Sequence, residues 1–284
     1  MTAPDALLRM TAPDDGNDSA AFERLLDQVT RVRGFRCASY KERCLRRRIA
    51  VRLRARGVHT YDDYARVLDG DPSEYDRLVD ALTINVTKLF RNWDAWQSLA
   101  DRAIPALWNA TGGAVRMWSA GASSGEEAYS LAALLHRHAE SLGAIERLAG
   151  ARVLGSDVDR ASLVAAERGV FSEPAFADTP LELRARYFGG PTSGVASEEL
   201  RALVAFEERD LLREAPPDGP WHLIACRNVV IYFDRESQEA LFERFHDALV
   251  PGGILFLGKV ETLLGSVRQQ FEAVDQRERI FRRL

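Results

Sequence analysis

The sequence predicts an α/β fold with a mostly parallel sheet, preceded by a small all-helical domain. From Val115 onward, short apolar runs alternate with helical patterns, as expected when helices cover both faces of a parallel sheet. The runs read VRMWSA, ARVLGSD, WHLIAC and GGILFLG. In the C-terminal stretch FEAVDQRERIFRRL, two strand-like pieces flank a polar turn, so an antiparallel hairpin is expected at one sheet edge.

The part of the chain before the sheet carries helical periodicity alone. Glycines separate its apolar patterns and predict helices at 20–32, 40–56, 61–68 and 72–82. We therefore expect a disordered leader at 1–18, a helical domain at 19–82, and a linker with the first helix of the next domain at 83–112. The sheet domain follows at 113–284. Its alternation breaks after Gly169, which predicts an inserted antiparallel β-subdomain at about 182–206.

Composition places the chain among ordinary globular proteins. It has 284 residues, of which 46% are hydrophobic, and no run approaches the roughly 20 apolar residues needed to span a bilayer. The N-terminal stretch has no signal-peptide centre, and three cysteines without ligand spacing favour reduced thiols. The five histidines form no cluster with acids at metal-ligand spacing. We expect a cytoplasmic monomer without a metal.

Positive charge is concentrated in one segment of an otherwise acidic chain. Residues 31–56 hold eleven basic residues and one acid, a local charge of +10, although the whole chain carries −4. Arg43, Arg47 and Arg54 fall within about 40° of one another around a helix axis. This face is expected to bind an anionic partner, the alternative being a merely solvated basic face.

The stretch MWSAGASSGEEAYS predicts a strand, a tight turn and a helix N-terminus that together hold a ligand. Small residues from Gly121 onward let the backbone approach a bound molecule. Glu126 and Glu127 stand where a phosphate would need positive potential, so the turn favours a cationic ligand. A cationic cofactor that contains a nucleoside suggests S-adenosylmethionine. Glu127 is the better candidate for its amino group, and Glu126 for support of the helix start.

Other polar residues stand at the ends of later strands. Asp157 ends the second strand, where an acid can accept hydrogen bonds from both ribose hydroxyls, and Asp159 is expected to cap the next helix. Asp210, followed by Leu211, either accepts from an adenine amino group or is a surface turn residue.

Two further segments are candidates for the reaction centre. CRNVVIYF places Arg227 and Asn228 at a strand end with Tyr232 soon after, although a tyrosine there is as often a core residue. NVTKLFR, from Asn85 to Arg91, carries alternating polar groups, Thr87 among them, that an extended chain would direct to one side.

Five motifs occur in the order NVTKLFRN, MWSAGASSGEEAYS, GSDVD, IACRNVVIYF and PGGILFLGKVET. Together they resemble the CheR-type chemotaxis receptor glutamate methyltransferases over about residues 20–284. The resemblance implies a class I S-adenosylmethionine-dependent, Rossmann-like fold with an N-terminal helical domain and a small inserted antiparallel β-subdomain. It also implies methyl transfer to glutamate side chains on chemoreceptor signalling helices, in chemotaxis adaptation.

The resemblance assigns roles to individual positions. It implies Arg91 and Tyr232 at the reaction centre. Residues implied in cofactor binding, together with the turn glycine, are Asn85, Thr87, Arg91, Gly121, Glu127, Asp157, Asp210, Leu211, Arg227 and Asn228. The insert around Gly189 is short, so docking on a receptor tether peptide is not expected.

Methylation of a glutamate carboxylate would require neither a catalytic base nor a metal, and the sequence shows no cluster of residues for either. A glutamate carboxylate, with an ordinary pKa of about 4.3, is already ionised at neutral pH, so its methylation needs no general base. Acidic receptor helices suit the basic face at Arg43, Arg47 and Arg54, and contact with the membrane is expected only through receptors. Two alternatives stay open: a nucleic-acid methyltransferase, against which CRNVVIYF argues, and a non-catalytic regulator that senses S-adenosylmethionine.

Overall fold

The computed structural model describes residues 15–82 and 87–284, with side chains from residue 18 onward. The described residues fall into two compact units, one on each side of the gap. Residues 1–14 of the predicted leader, and Asn85 of the NVTKLFR segment, lie outside the described residues; residues 15–18, predicted as part of a disordered leader, are instead the start of a helix.

The first unit is a set of helices around one apolar core. Its helices are α1 (Asp15–Arg33), α2 (Glu42–Arg56), α3 (Tyr61–Gly70) and α4 (Pro72–Leu82). The core is built by apolar residues at helical spacing, such as Leu45, Ile49 and Leu53 of α2. All four predicted helices are confirmed. The second begins two residues later than predicted, because Tyr40 is extended after a short 3₁₀ turn.

The second unit is an α/β domain. Its helices are α5 (Trp93–Arg102), α6 (Ile104–Thr111), α7 (Glu126–Ser141), α8 (Arg160–Arg168), α9 (Leu181–Tyr187), α10 (Glu198–Leu203) and α11 (Arg235–Ala248). Its strands are β1 (Arg116–Ala120), β2 (Arg152–Asp157), β3 (Val204–Glu208), β4 (Trp221–Cys226), β5 (Leu249–Leu257), β6 (Phe271–Asp275) and β7 (Ile280–Arg283). One helix was expected before β1, but two form there, because Pro105 starts a new helix at its first turn.

The sheet has the order β3-β2-β1-β4-β5-β7-β6. The first five strands in this order run parallel, and β7 pairs antiparallel with both β5 and β6. The parallel sheet with a C-terminal antiparallel hairpin is therefore confirmed. The strand order reverses between β1 and β4, and ligands of such sheets bind at the carboxyl ends of the strands beside this point.

Both faces of the sheet are covered. Along β1, Met117 belongs to the core beneath α5, α6 and α7, while Trp118 points to the other face and meets Phe245 of α11 at a ring distance of 5.4 Å. On the first face, Trp96 of α5 packs edge-on against Phe256 of β5 at 5.3 Å. The two apolar layers fix the strand ends that carry the polar groups.

The prediction of an antiparallel β-subdomain at 182–206 is wrong. The described residues there form α9, α10 and most of β3, and β3 pairs parallel with β2 as the sheet's edge strand. Antiparallel pairing in this region is reduced to an isolated bridge between Val170 and Val195. The glycines suggested a hairpin, but Leu183, Tyr187 and Leu200 bury helical faces in the core instead.

Candidate functional site

The turn after β1 is tied to the end of β2. Gly121 has φ +86°, and a Cβ there would lie 2.5 Å from Cγ2 of Val229, so this position requires glycine. The N–H of Ser123 donates to Asp157 at 2.8 Å, and the N–H of Asp159 donates to the other carboxylate oxygen at 3.0 Å. Asp157 therefore orders the turn, and burial raises its pKa. Asp159 caps α8, as predicted.

The two glutamates that begin α7 are both buried but differ in their surroundings. Glu126 accepts a hydrogen bond from the hydroxyl of Ser124 at 2.8 Å, within the turn itself. Glu127 accepts from the hydroxyl of Ser119 on β1 at 2.8 Å. Burial raises the pKa of Glu127 to about 7, although Arg227 and Ser119 favour its charged form. A carboxylate held in this way is suited to a cationic group.

Arg227 follows β4 and is buried. Its guanidinium lies 5.1 Å from the ring centre of Trp96 and 4.6 Å from that of Phe256. Its Nη2 donates to the backbone carbonyl of Arg91 at 2.8 Å, and the indole N–H of Trp96 donates to the same carbonyl at 3.0 Å. The sequence predicted a cofactor contact for Arg227, whereas the hydrogen bond that the structure gives it holds the backbone of Arg91.

The next residue, Asn228, has the left-handed φ of +61°. The buried carboxylate of Glu261 accepts from the N–H groups of Asn228 and Val229, each at 2.9 Å, and from that of Gly258 at 2.6 Å. The side-chain oxygen of Asn228 is buried without a hydrogen-bond partner among the described residues. The sequence predicted no role for Glu261, because an acidic residue shortly after a strand is typical of an exposed turn.

The segment that leads to Arg91 is fixed to the second unit. Its backbone N–H groups donate from Leu89 to the carbonyl of Ala175 at 2.9 Å, from Phe90 to the hydroxyl of Ser130 at 2.9 Å, and from Asn92 to Asp178 at 3.0 Å. Thr87, half-buried, stands at the start of the described part of this segment. Arg91 is thus carried on an anchored backbone.

The remaining predicted residues lie after β3 and β4. Asp210 accepts from the N–H of Leu212 at 2.8 Å in a tight turn, beside the buried side chain of Leu211. This is the turn arrangement that the sequence left as one of two alternatives. Tyr232 is half-buried in a short 3₁₀ turn, Val230–Tyr232, so the apolar run after Asn228 is not a strand.

In the first unit, the arginines of α2 divide into two groups. Arg52 donates twice to the fully buried Glu74, at 2.9 Å each, and Arg46 pairs with Glu42 and Asp18. Three others are exposed and make no ion pair with the described residues: Arg43, Arg47 and Arg54. Val51, 49% exposed, is four residues from Arg47 and so lies on the same face. The predicted basic face is therefore accessible within this unit.

Every helix within residues 15–82 and 87–284 is too short or too polar to span a lipid bilayer. No group of three or more His, Cys, Asp or Glu side chains in the same residues could hold a metal ion.

Comparison with known proteins decides the family. The profile described as "CheR methyltransferase, all-alpha domain" matches residues 20–83, and "CheR methyltransferase, SAM binding domain" matches residues 85–280. The chain belongs to the CheR methyltransferase family. This confirms the family and the cofactor class that the five motifs predicted, and with them an S-adenosylmethionine-dependent enzyme.

Individual relatives of the CheR family match over most of the chain. The chemotaxis protein methyltransferase of Klebsiella aerogenes is 37% identical over 85% of this chain and 83% of its own. Chemotaxis protein methyltransferase 2 of Pseudomonas aeruginosa is 35% identical over 86% of each chain. Among solved structures, an S-adenosylmethionine dependent methyltransferase from Mesorhizobium loti is 22% identical, covers 56% of this chain and 53% of its own, and gives a TM-score of 0.28.

The polar groups at the strand ends fit the CheR cofactor. Glu127 offers a carboxylate to an amino group, and Asp157 presents two carboxylate oxygens at the end of β2, which suits two ribose hydroxyls. The unpartnered oxygen of Asn228 offers one more acceptor. When bound, S-adenosylmethionine supplies an electrophilic methyl group.

Cofactor binding is expected to release a proton from Glu127. With its pKa at about 7, this group is mainly protonated at pH 6, and a bound amino cation would ionise it. Calorimetry with S-adenosylhomocysteine in buffers of different ionisation enthalpy should give about 0.9 proton released per site at pH 6 and about 0.1 at pH 8. E127Q should release none. Equal release at both pH values would contradict this role.

Proposed function

We propose that the protein transfers a methyl group from S-adenosylmethionine to glutamate side chains of chemoreceptors, giving glutamyl methyl esters and S-adenosylhomocysteine. The observation that carries the proposal is the match of the CheR family across residues 20–280, with relatives named as chemotaxis protein methyltransferases. The site geometry supports it, because the described residues supply carboxylates for a cationic cofactor and arginines for an anionic acceptor.

The transfer asks little acid–base chemistry of the protein. The acceptor carboxylate is ionised at neutral pH, one of its oxygens bonds to the methyl carbon, and the electron pair of the broken bond stays on sulfur. The protein's task is to align that oxygen with the methyl group and to remove water from between them.

Arg91 and Tyr232 are the residues that we assign to this alignment. The backbone of Arg91 is held by hydrogen bonds from Trp96 and Arg227 at its carbonyl, so its side chain starts from a fixed point. Tyr232 stands on the turn after β4, the strand beside the reversal of strand order. Strong pairing of the acceptor with Arg91 would weaken the nucleophile, so orientation is the main role of this guanidinium.

The exposed arginines of α2 are proposed to bind the receptor. Arg43, Arg47 and Arg54 present charge that the buried Glu74 and the surface acids do not neutralise, and acidic receptor helices are complementary to it. Val51 adds an apolar contact within the same face. Arg52 and Arg46, paired with Glu74 and Glu42 respectively, keep a structural role.

The test uses methyl-labelled S-adenosylmethionine with receptor-containing membranes, followed by base treatment. The wild type should incorporate label that base releases as volatile methanol, which marks a carboxyl methyl ester. R43E/R47E/R54E should lower the rate at least tenfold, because each reversal replaces attraction by repulsion of the acidic helix. Its affinity for S-adenosylhomocysteine should stay unchanged.

A second triple variant controls for net charge. R66E/R152E/R168E changes the charge equally at exposed positions outside the α2 face, and should keep wild-type receptor methylation. If the α2 variant also kept it, the receptor-binding role would be wrong. Label in nucleic acid would instead favour a nucleic-acid methyltransferase, and tight cofactor binding without any incorporation would favour a sensing regulator.

A further inference from the structure

Glu261 is a buried carboxylate that the proposed transfer does not use. It is 2% exposed and lies in the loop after β5. One of its oxygens accepts from Gly258 at 2.6 Å and from Asn228 at 2.9 Å, and the other accepts from Val229 at 2.9 Å. Three backbone donors from two loops therefore converge on one side chain.

The conformation of the receiving turn explains this convergence. Asn228 is left-handed, with φ +61°, and Val229 is right-handed, with φ −113° and ψ −54°. Successive residues of opposite hand direct their N–H groups into one concavity that binds anions. Gly258 closes it: a Cβ there would lie 2.6 Å from Glu261 and 2.9 Å from the nitrogen of Asn228.

The same turn carries groups of the cofactor site. Arg227 precedes it, and its guanidinium holds the carbonyl of Arg91 at 2.8 Å. The unpartnered oxygen of Asn228 is on it, and Val229 is the residue that packs against Gly121 of the first turn. A left-handed asparagine is held only where surrounding contacts favour it, and Glu261 supplies two of them.

We propose that Glu261 is a positioning residue, which holds the 227–229 turn in the conformation that binds the cofactor and fixes Arg91. No contact of Glu261 with the cofactor is needed for this role. The inference depends on the S-adenosylmethionine site and not on the receptor substrate, so a binding experiment tests it even if no receptor is methylated.

The negative charge of Glu261 affects the pKa of Glu127, and a loss of packing alone would leave that pKa unchanged. Glu127 faces the hydroxyl of Ser119, and the charges around it are Arg227, Arg91 and Glu261. Of these, Glu261 favours the protonated form of Glu127, and the two arginines favour the ionised form. Removing the negative charge of Glu261 should therefore lower the pKa of Glu127.

The main variant is E261Q. The amide keeps one acceptor oxygen but turns an NH₂ group toward at least one backbone N–H, which leaves a buried donor without a partner. S-adenosylhomocysteine affinity at pH 8 should fall about tenfold or more. The acid midpoint of binding should move to lower pH, and the amides of Asn228, Val229 and Gly258 should exchange hydrogen faster.

E74Q is the matched control, since Glu74 is also a fully buried carboxylate but belongs to the first unit. It should weaken the helical unit, seen by circular dichroism, without moving the acid midpoint. E261D keeps the charge on a shorter side chain, so it should bind more weakly than the wild type with an unchanged midpoint; it decides the question if E261Q does not fold. Wild-type affinity and midpoint in E261Q, or wild-type affinity in E261D, would overturn the proposal.

Discussion

Arg91→Ala is expected to lower methyl transfer at saturating cofactor by about 10²-fold. The guanidinium is the charged group that we assign to orientation of the acceptor, and loss of alignment at a reacting centre has effects of this size. Initial rates with labelled cofactor, measured at several cofactor concentrations, separate this loss of turnover from weaker cofactor binding.

Two further variants sharpen the result for Arg91. R91K keeps the charge but loses the planar fork of donors, so it should recover only part of the rate. Y232F removes a single hydroxyl, and with it one hydrogen bond that orients the acceptor, so it should lower turnover about tenfold. Wild-type turnover in both R91A and Y232F at saturating cofactor would show that the acceptor is aligned by other groups.

Arg227→Met is expected to lower the free energy of unfolding of the second unit by about 3–5 kcal/mol at pH 8. Methionine can fill the space between Trp96 and Phe256, but Glu127 and Glu261 then lose their buried counter-charge. All five tryptophans belong to the described part of the second unit, so their fluorescence in urea follows the unfolding of that unit.

The free energy of unfolding that Arg227→Met loses should be smaller at pH 5 than at pH 8. Burial raises the pKa of both Glu127 and Glu261 above that of the unfolded chain, so each binds its proton more tightly when folded. Protonation at low pH removes the uncompensated charges, and stability falls as the pH rises through the raised values. R227K, which keeps a positive charge, should recover roughly half of the loss. Equal losses at both pH values would contradict an electrostatic role.

The fold could be predicted where sequence pattern and local chemistry agree. The run WHLIAC forms β4 over the same residues, and the polar turn in the C-terminal stretch separates β6 from β7. The prediction for the region around Gly189 was wrong, because glycines indicate turns but do not show whether the turns join strands or helices. There the burial of Leu183 and Leu200 in the common core favours helices.

For the candidate site, the sequence predicted which residues stand at the strand ends, but not which of them hydrogen-bond to one another. Asp157 and Glu127 stand where strand ends and a helix start required them. The link from Arg227 to the carbonyl of Arg91 joins residues 136 positions apart, so spacing gave no sign of it. The sequence contained one indirect indication of Glu261, namely Gly258, three residues before it. A side chain at Gly258 would collide with Glu261 and with the backbone of Asn228, but this is evident only once β4 and β5 are known to be neighbours.

The division of the charged groups between exposed and buried positions has a kinetic consequence. Salt screens exposed charges, with a Debye length of about 10 Å at 0.1 M, but it acts weakly on the guanidinium of Arg227 between its two aromatic rings. Arg43, Arg47 and Arg54 on α2 are exposed, so salt screens their charges directly. Under the proposed function, ionic strength therefore sets how often the enzyme meets its acceptor and leaves methyl-donor occupancy nearly constant, so receptor encounter becomes the adjustable step.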